Sequence, residues 1–396
     1  MSIQLRSLSL LASVMLASSG ANAAAPMMRP MVVPPPNRGA PSLAVGNPDA
    51  PGVPVTPGRH FTIVNVRGAG KAANQGTQTF AVNDCYVAVG SYVDSSNYSH
   101  GFLRAPDGRL TTFDVDGPQS QTNAFGINDE GTVSGFYTDP NTGVPEGFLR
   151  VAKGTITTFD GSGGSSSGTY PQAINKTGAI AGYYADTSTV YHAFLRAKNG
   201  ALTQFDASGA GTGFKQGTEP YDINDAGTMA GPYVDANNVN HGFARAADGT
   251  ITEFDAPGAG TGAGQGTIPA GVNETGWIAG LFYDANNVSH GFVRDPGGTI
   301  TAFDAPDAGK SSGQGTGMFL YGINARVKIT GYYIDASNVY HGFLRSKSGA
   351  ILEFDAPGAG TGAGQGTAGI DINRDQDIAG WDQDDEGVYH GYLRTP

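Results

Sequence analysis

The stretch Ala270-Gly-Val-Asn-Glu-Thr-Gly-Trp-Ile-Ala-Gly280-Leu-Phe-Tyr-Asp-Ala-Asn-Asn-Val-Ser-His290-Gly-Phe-Val-Arg-Asp-Pro-Gly-Gly-Thr-Ile300-Thr-Ala-Phe-Asp304 decides how this chain is read. Short apolar runs alternate in it with turn chemistry. Asn273-x-x-Gly276 is the signature of a type I turn. Asp284 to Asn287 suits a three-residue hairpin loop, because asparagine tolerates the left-handed backbone that closes one. Gly297-Gly298 is a two-residue hairpin signal. The glycine-rich segment Ala256 to Gly266 precedes a further apolar run that ends at Asn273. Four short strands per unit follow, with no helical period inside it.

Working outward, the same unit recurs seven times. A glycine marks one point in each copy, at Gly90, Gly135, Gly182, Gly231, Gly280, Gly331 and Gly380, with spacings of 45, 47, 49, 49, 51 and 49 residues. That period, filled by strands, predicts an all-β fold, a seven-bladed β-propeller. The last copy stops after His390-Gly-Tyr-Leu-Arg394, before a fourth strand, whereas Phe61 to Asn65 is a fourth strand without predecessors. Pairing the two closes the ring and removes both free edges.

At the His-Gly-Phe-x-Arg run the chain resembles the bacterial HAF-repeat extracellular proteins, whose name matches His192-Ala193-Phe194. The other copies read His-Gly-Phe or His-Gly-Tyr, apart from Glu146-Gly147-Phe148, and the Gly-Ile-Asn and Phe-Asp segments extend the resemblance over all seven units. The resemblance implies a secreted, propeller-like repeat protein. It carries over no activity and no catalytic residues.

The ends and the bulk composition point to export. Residues 1–23 hold one positive charge, Arg6, an apolar run from Leu8 to Ala17, and Ala21-Asn22-Ala23, which together read as a signal peptide cleaved after Ala23. Residues 24–59 are proline-rich, with Pro34-Pro35-Pro36, and read as an extended linker. Residues 60–396 are the propeller. The expected location is extracellular or periplasmic, and the expected state is a monomer. The single Cys85 allows no internal disulfide, so packing and sheet pairing must hold the domain. The formal charge of −12 becomes −13 once Arg6 is removed, which disfavours nucleic acid and anionic lipid as partners. No stretch after the signal peptide is apolar enough for an integral membrane segment.

Most repeated polar residues have structural readings. The histidines at His100, His192, His241, His290, His341 and His390 are expected to bond aspartates on adjacent strands, because equivalent positions on seven units cannot converge on one metal ion. The arginines from Arg104 to Arg394 are expected to pair with the aspartates that end the fourth strands, such as Asp255 and Asp304. Gly258 to Thr267 lacks the lysine and helix of a phosphate loop and reads as a crossover.

Functional candidates lie where copies differ. Asp382, Asp384 and Glu386 precede Gly387 with the alternation of a calcium loop, without its usual last carboxylate. Asp222 and Asp371 replace alanine or glycine on inner strands of copies four and seven, nearly opposite one another, and are the candidate pair for cation binding or acid/base catalysis at the channel mouth. Trp381 and Trp277 are the candidates for stacking on a sugar, against a default of core packing. The leading expectation is a secreted, non-catalytic propeller that binds a glycan or an extracellular protein at its loop face, with calcium as a possible helper. An extracellular hydrolase or lyase and a structural envelope protein are the alternatives.

Overall fold

In copy five the turn chemistry builds four strands: Gly266–Val272 innermost, then Ile278–Tyr283, Ser289–Arg294 and Ile300–Phe303 at the outer edge, each antiparallel to the one before. The computed structural model describes residues 60–164 and 166–396, so the expected signal peptide and the expected linker of residues 24–59 lie outside the described residues. Asn273 Oδ1 accepts the amides of Thr275 and Trp277, each at 3.0 Å, which fixes the first turn. Asp284 Oδ1 accepts the amides of Asn286 (2.8 Å) and Val288 (2.9 Å), and Asn287 takes the left-handed backbone with φ 60°. The crossover is tied at both ends: Thr267 Oγ1 accepts the Ala256 amide at 2.9 Å. Gln265 holds the Gly262 amide at 2.9 Å and donates to Asn287 Oδ1 at 3.0 Å.

The pattern repeats through the described chain, where every regular element is a strand. Copies two, four and six depart from it: in copy two the inner strand is the shorter Asn123–Ile127, and its four strands form a sheet of their own. In copy four the inner strand is split into Gly217–Thr218 and Asp222–Ile223, with Pro220 between them unable to donate to the ladder. In copy six it is Gly315–Gly317, followed by a bridge at Ile323, because two extra residues lie between Gly315 and Asn324.

Neighbouring copies are joined near the axis by two devices. The start of one third strand touches the start of the next inner strand in parallel, as in Asn240 with Gly266, Tyr340 with Gly366 and Tyr389 with Gly76. The turn asparagines do the rest. Nδ2 of Asn83 donates to the Asn128 carbonyl (3.0 Å), Asn128 to Asn175 (3.2 Å) and Asn175 to Asn224 (3.0 Å). Asn224 donates to Asn273 (2.9 Å), Asn273 to Asn324 (3.0 Å), Asn324 to Asn373 (3.0 Å), and Asn373 back to Asn83 (3.2 Å). Each buried amide therefore serves its own turn with oxygen and its neighbour with nitrogen. At the chain ends, His60–Val64 pairs antiparallel with Tyr389–Thr395, from His60 opposite Thr395 to Val64 opposite Gly391.

Side chains lock the copies together. The third-strand rings, such as Phe243, Phe292 and Phe343, are fully buried, each worth about 1.5–3 kcal/mol in transfer terms. Phe303, on the outer strand of copy five, meets Phe343 of copy six edge-on at 5.9 Å. The guanidinium of Arg345 lies 4.6 Å over the same Phe303 ring. Arg294 stacks likewise on Phe254 (4.8 Å) and Arg394 on Phe354 (4.6 Å). This corrects the expected arginine–aspartate pairs: six of the seven arginines stack on the preceding copy's phenylalanine, and Arg104 lies over Tyr86 of its own copy. The aspartates are taken by the histidines except in copy two, where Asp160 accepts the amides of Ser162 and Ser166; Nδ1 of His100, His290 and His341 lies 2.8, 2.9 and 2.9 Å from Asp114, Asp304 and Asp355.

Candidate functional site

The asparagine turns surround a recess of about 230 Å³ at one end of the axis. Asp222 and Asp371 both line it, as their positions on the inner strands predict. Each carboxylate is held by two backbone amides. Asp222 accepts from Ile223 and Val272, both at 2.8 Å, and Asp371 from Ile372 (2.7 Å) and Val82 (2.9 Å), so each ties its own copy to the next. Burial pushes both carboxyls up to about 7, against the pull of these amides. The charge of Asp222 also raises Asp371. Tyr321 also lines the recess; burial and both carboxylates drive its phenol well above its usual range, and its hydroxyl donates to the Gln172 carbonyl.

The rim was missed in the sequence. It is formed by the residue after each asparagine, including Asp84, Asp129, Lys176, Asp225, Glu274 and Arg374. Lys176 Nζ lies 3.5 Å from Asp225, 3.6 Å from Asp129 and 4.0 Å from Asp84. Several of these side chains also cap the neighbouring backbone, as where Asp129 accepts the Asp84 amide at 3.0 Å. The signal was a polar residue directly after the repeated asparagine in six of seven copies.

At the opposite end lie the crossovers and the Asp-x-x-Asn hairpins, the loop face. There half-buried phenols come from several strands: Tyr170 near the start of an inner strand, Tyr191, Tyr340 and Tyr389 at the starts of third strands, and Tyr283 at the end of the second strand Ile278–Tyr283, while Tyr221 lies further along the copy-four inner strand, beside Asp222. They stand on deeper aromatic rings. Tyr191 packs on buried Tyr183 at 5.1 Å, Tyr340 on Tyr332 at 5.2 Å, and Tyr389 on Trp381 at 5.1 Å. Among these phenols sits Glu219, 8% exposed. Burial raises its carboxyl to about 8, against a hydrogen bond from Tyr221 and the charge of Lys215.

The remaining candidates do not converge. Trp381 is 6% exposed and packs between Phe319 and Tyr389, so it supports the tyrosines from behind rather than offering a face. Trp277 lies at the asparagine-turn end, half-buried under Lys347 Nζ at 5.2 Å. Asp382, Asp384 and Glu386 stand in different surroundings. Asp382 is buried on the strand Ile378–Gln383, Glu386 is exposed, and Asp384 accepts the amides of Glu386 (3.0 Å) and Val388 (2.8 Å) as the hairpin aspartates Asp94, Asp186, Asp235, Asp284 and Asp335 do in their loops. Among the described residues no group of three or more His, Cys, Asp or Glu side chains is placed to hold a metal ion.

Solved structures give the architecture its name. The chain is similar to a streptogramin B lyase, with TM-score 0.54 and 13% identity over 85% of this chain and 98% of that one. It is equally similar to virginiamycin B lyase from Staphylococcus aureus, with TM-score 0.54 and 15% identity over 85% of this chain and 99% of that one. The chain is a β-propeller. A catalytically inactive form of the staphylococcal lyase bound to quinupristin matches at TM-score 0.52 and 14% identity, over the same shares of the two chains. At such identities the likeness is one of fold alone. No protein-family model and no curated protein sequence matches the chain. Among the described residues no helix of this propeller is long and apolar enough to cross a membrane.

Proposed function

We propose that the chain is an exported, non-catalytic propeller of the HAF-repeat kind that binds a glycan at its loop face. In this reading residues 1–23 are removed, residues 24–59 act as a tether, and residues 60–396 form seven blades closed by the first strand. The antiparallel pairing of His60–Val64 with Tyr389–Thr395 and the asparagine cycle support the closed ring. The observation that carries the binding reading is the group of half-buried tyrosines at the loop-face ends of the strands, Tyr191, Tyr340 and Tyr389 at the starts of third strands and Tyr283 at the end of a second strand, with Tyr170 on an inner strand. A phenol offers a face for stacking on a sugar ring and a hydroxyl for its polar edge. Because the rings rest on Tyr183, Tyr332 and Trp381, little ordering cost remains on binding.

The test is a titration of the processed chain against an oligosaccharide panel, with Tyr340→Ala and Tyr389→Ala alongside. The expected outcome is saccharide binding in the wild type and a loss of about tenfold in affinity for each variant, the effect of ~1.4 kcal/mol. Absence of saccharide binding, or full affinity in both variants, overturns the reading and turns attention to a protein partner.

A second reading, acid/base chemistry in the recess, is favoured by one observation: Asp222 and Asp371 share that recess with carboxyls near 7. A hydrolase or lyase activity there requires at least one of them. Unchanged turnover in the Asp222→Asn, Asp371→Asn double variant excludes it.

A further inference from the structure

The last copy breaks a pattern that the other six keep. Two residues beyond the marker glycine stands an aromatic ring, at Tyr92, Tyr137, Tyr184, Tyr233, Phe282 and Tyr333. In five copies it stacks on the histidine opposite, with centroids 4.8 to 5.2 Å apart, as for Tyr92 on His100 and Tyr184 on His192. In copy two the Tyr137 hydroxyl donates to Glu146 instead, at 2.9 Å. In copy seven the position is Asp382, opposite His390 in register.

Three consequences follow from that replacement. Asp382 is 1% exposed, and neither of its side-chain oxygens has a hydrogen-bond partner among the described residues. His390 has swung toward the hairpin: its Nε2 is 2.9 Å from Asp384 Oδ2, where the equivalent separation in five other copies is 3.6 to 3.8 Å. Its Nδ1 meets Asn65 Oδ1 at 3.1 Å, Asn65 standing where the other copies have aspartate. Finally, the near-identical crossovers differ in their packing. A Cβ at Gly258 meets the Phe282 ring at 3.6 Å, whereas at Gly358 nothing lies within 4 Å.

This departure sits at the seam where the ends of the described chain meet. The strand carrying Asp382 pairs with Tyr389–Thr395, which pairs in turn with His60–Val64. An ionised carboxylate buried without donors is costly, and gaining a proton removes most of that cost. We propose that Asp382 is a proton-operated latch: neutral, it lets the last copy pack shut against the first strand, and ionised, it loosens that seam.

The groups that act on Asp382 are consistent with this role. Burial pushes its carboxyl up to about 7; the charge of His390 from the facing strand opposes the shift, and that of Asp384 from the hairpin adds to it. Tyr392, whose phenol feels Asp382, Arg394 and Asp355, donates its hydroxyl to the Ala368 carbonyl, and Arg394 is stacked on Phe354. The folded chain therefore holds this proton to higher pH than the unfolded chain. Stability from this group is fully present at acid pH and is lost as pH rises from the usual carboxyl range through about 7.

The experiment is hydrogen exchange of residues 60–64 and 378–395, corrected for intrinsic rates, at pH 5.5 and 8.5 in the wild type, Asp382→Asn and Asp382→Tyr. The wild-type seam is expected to lose roughly tenfold protection or more at the higher pH, the effect of a shift of about one pKa unit or more, while the copy-five strands do not. Both variants are expected to show no such loss, and Asp382→Tyr, which restores the missing ring, to be the better protected. A seam that loosens equally in a folded variant, or a copy five that loosens in parallel, overturns the latch. Should Asp382→Asn not fold, Asp382→Tyr decides alone.

Discussion

At the residue scale, the asparagine that closes each first turn does more than its position suggests. Asn273 accepts two amides of its own turn and donates to the Asn324 carbonyl, while its own carbonyl receives Asn224. Asn273→Ala leaves buried backbone groups without partners on two copies. The expected loss is about 2–4 kcal/mol in unfolding free energy, read from the urea midpoint at unchanged slope. A loss near zero means that water replaces the amide and the cycle contributes nothing. The turn role of this residue is legible in the sequence, because Asn-x-x-Gly is a local signature. Its bond to the next copy is not, since that bond depends on the angle between two units about 49 residues apart. The arginines show the same limit. Their regular spacing is plain, yet Arg345 finds Phe303 rather than an aspartate because the partner is set by how one copy leans on the next.

At the scale of the element, the marker glycine shows why the strands lie as close as they do. A Cβ on Gly280 comes within 2.3 Å of the Ile268 carbonyl and 2.8 Å of the Phe292 ring, so the inner and third strands leave no room there. Gly297, in the outer hairpin, has only the Asp295 carboxylate at 3.2 Å. Gly280→Ala is expected to cost about 1–3 kcal/mol through forced backbone displacement, and Gly297→Ala well under 1 kcal/mol, measured by thermal unfolding of both variants. Equal effects contradict a steric origin. The same scale explains why the candidate sites were only half legible. Asp222 and Asp371 stood out because copies could be aligned, and both do face the recess. The loop-face tyrosines did not stand out as a group, because Tyr170, Tyr221 and Tyr389 belong to different strands of different copies and meet only after folding. Trp381 was visible as a rare residue, and its place on the second strand already made core packing the default, which its burial matches.

At the scale of the whole molecule, the first and last strands give the described residues their longest-range strand contact, His60 with Thr395, and its completion is expected late. Most contacts in each copy are hairpins between adjacent strands and form locally, whereas this pairing closes a loop of nearly the entire described chain. Consecutive residues of a strand direct their amides to opposite sides, so replacing both Thr62 and Ile63 by proline removes a ladder donor whichever way the register points. The same change at Thr301 and Ala302 only loosens the edge strand of copy five, whose other three strands keep their partners. The first double variant is therefore expected to lose more, on the order of 3 kcal/mol, and to unfold with early exposure of residues 378–395 in hydrogen exchange. The second should weaken its own edge and leave the last copy protected. If both variants unfold alike, the seam is no weaker than any other junction, and the asparagine cycle and the Tyr389–Gly76 contact hold the ends together without the first strand.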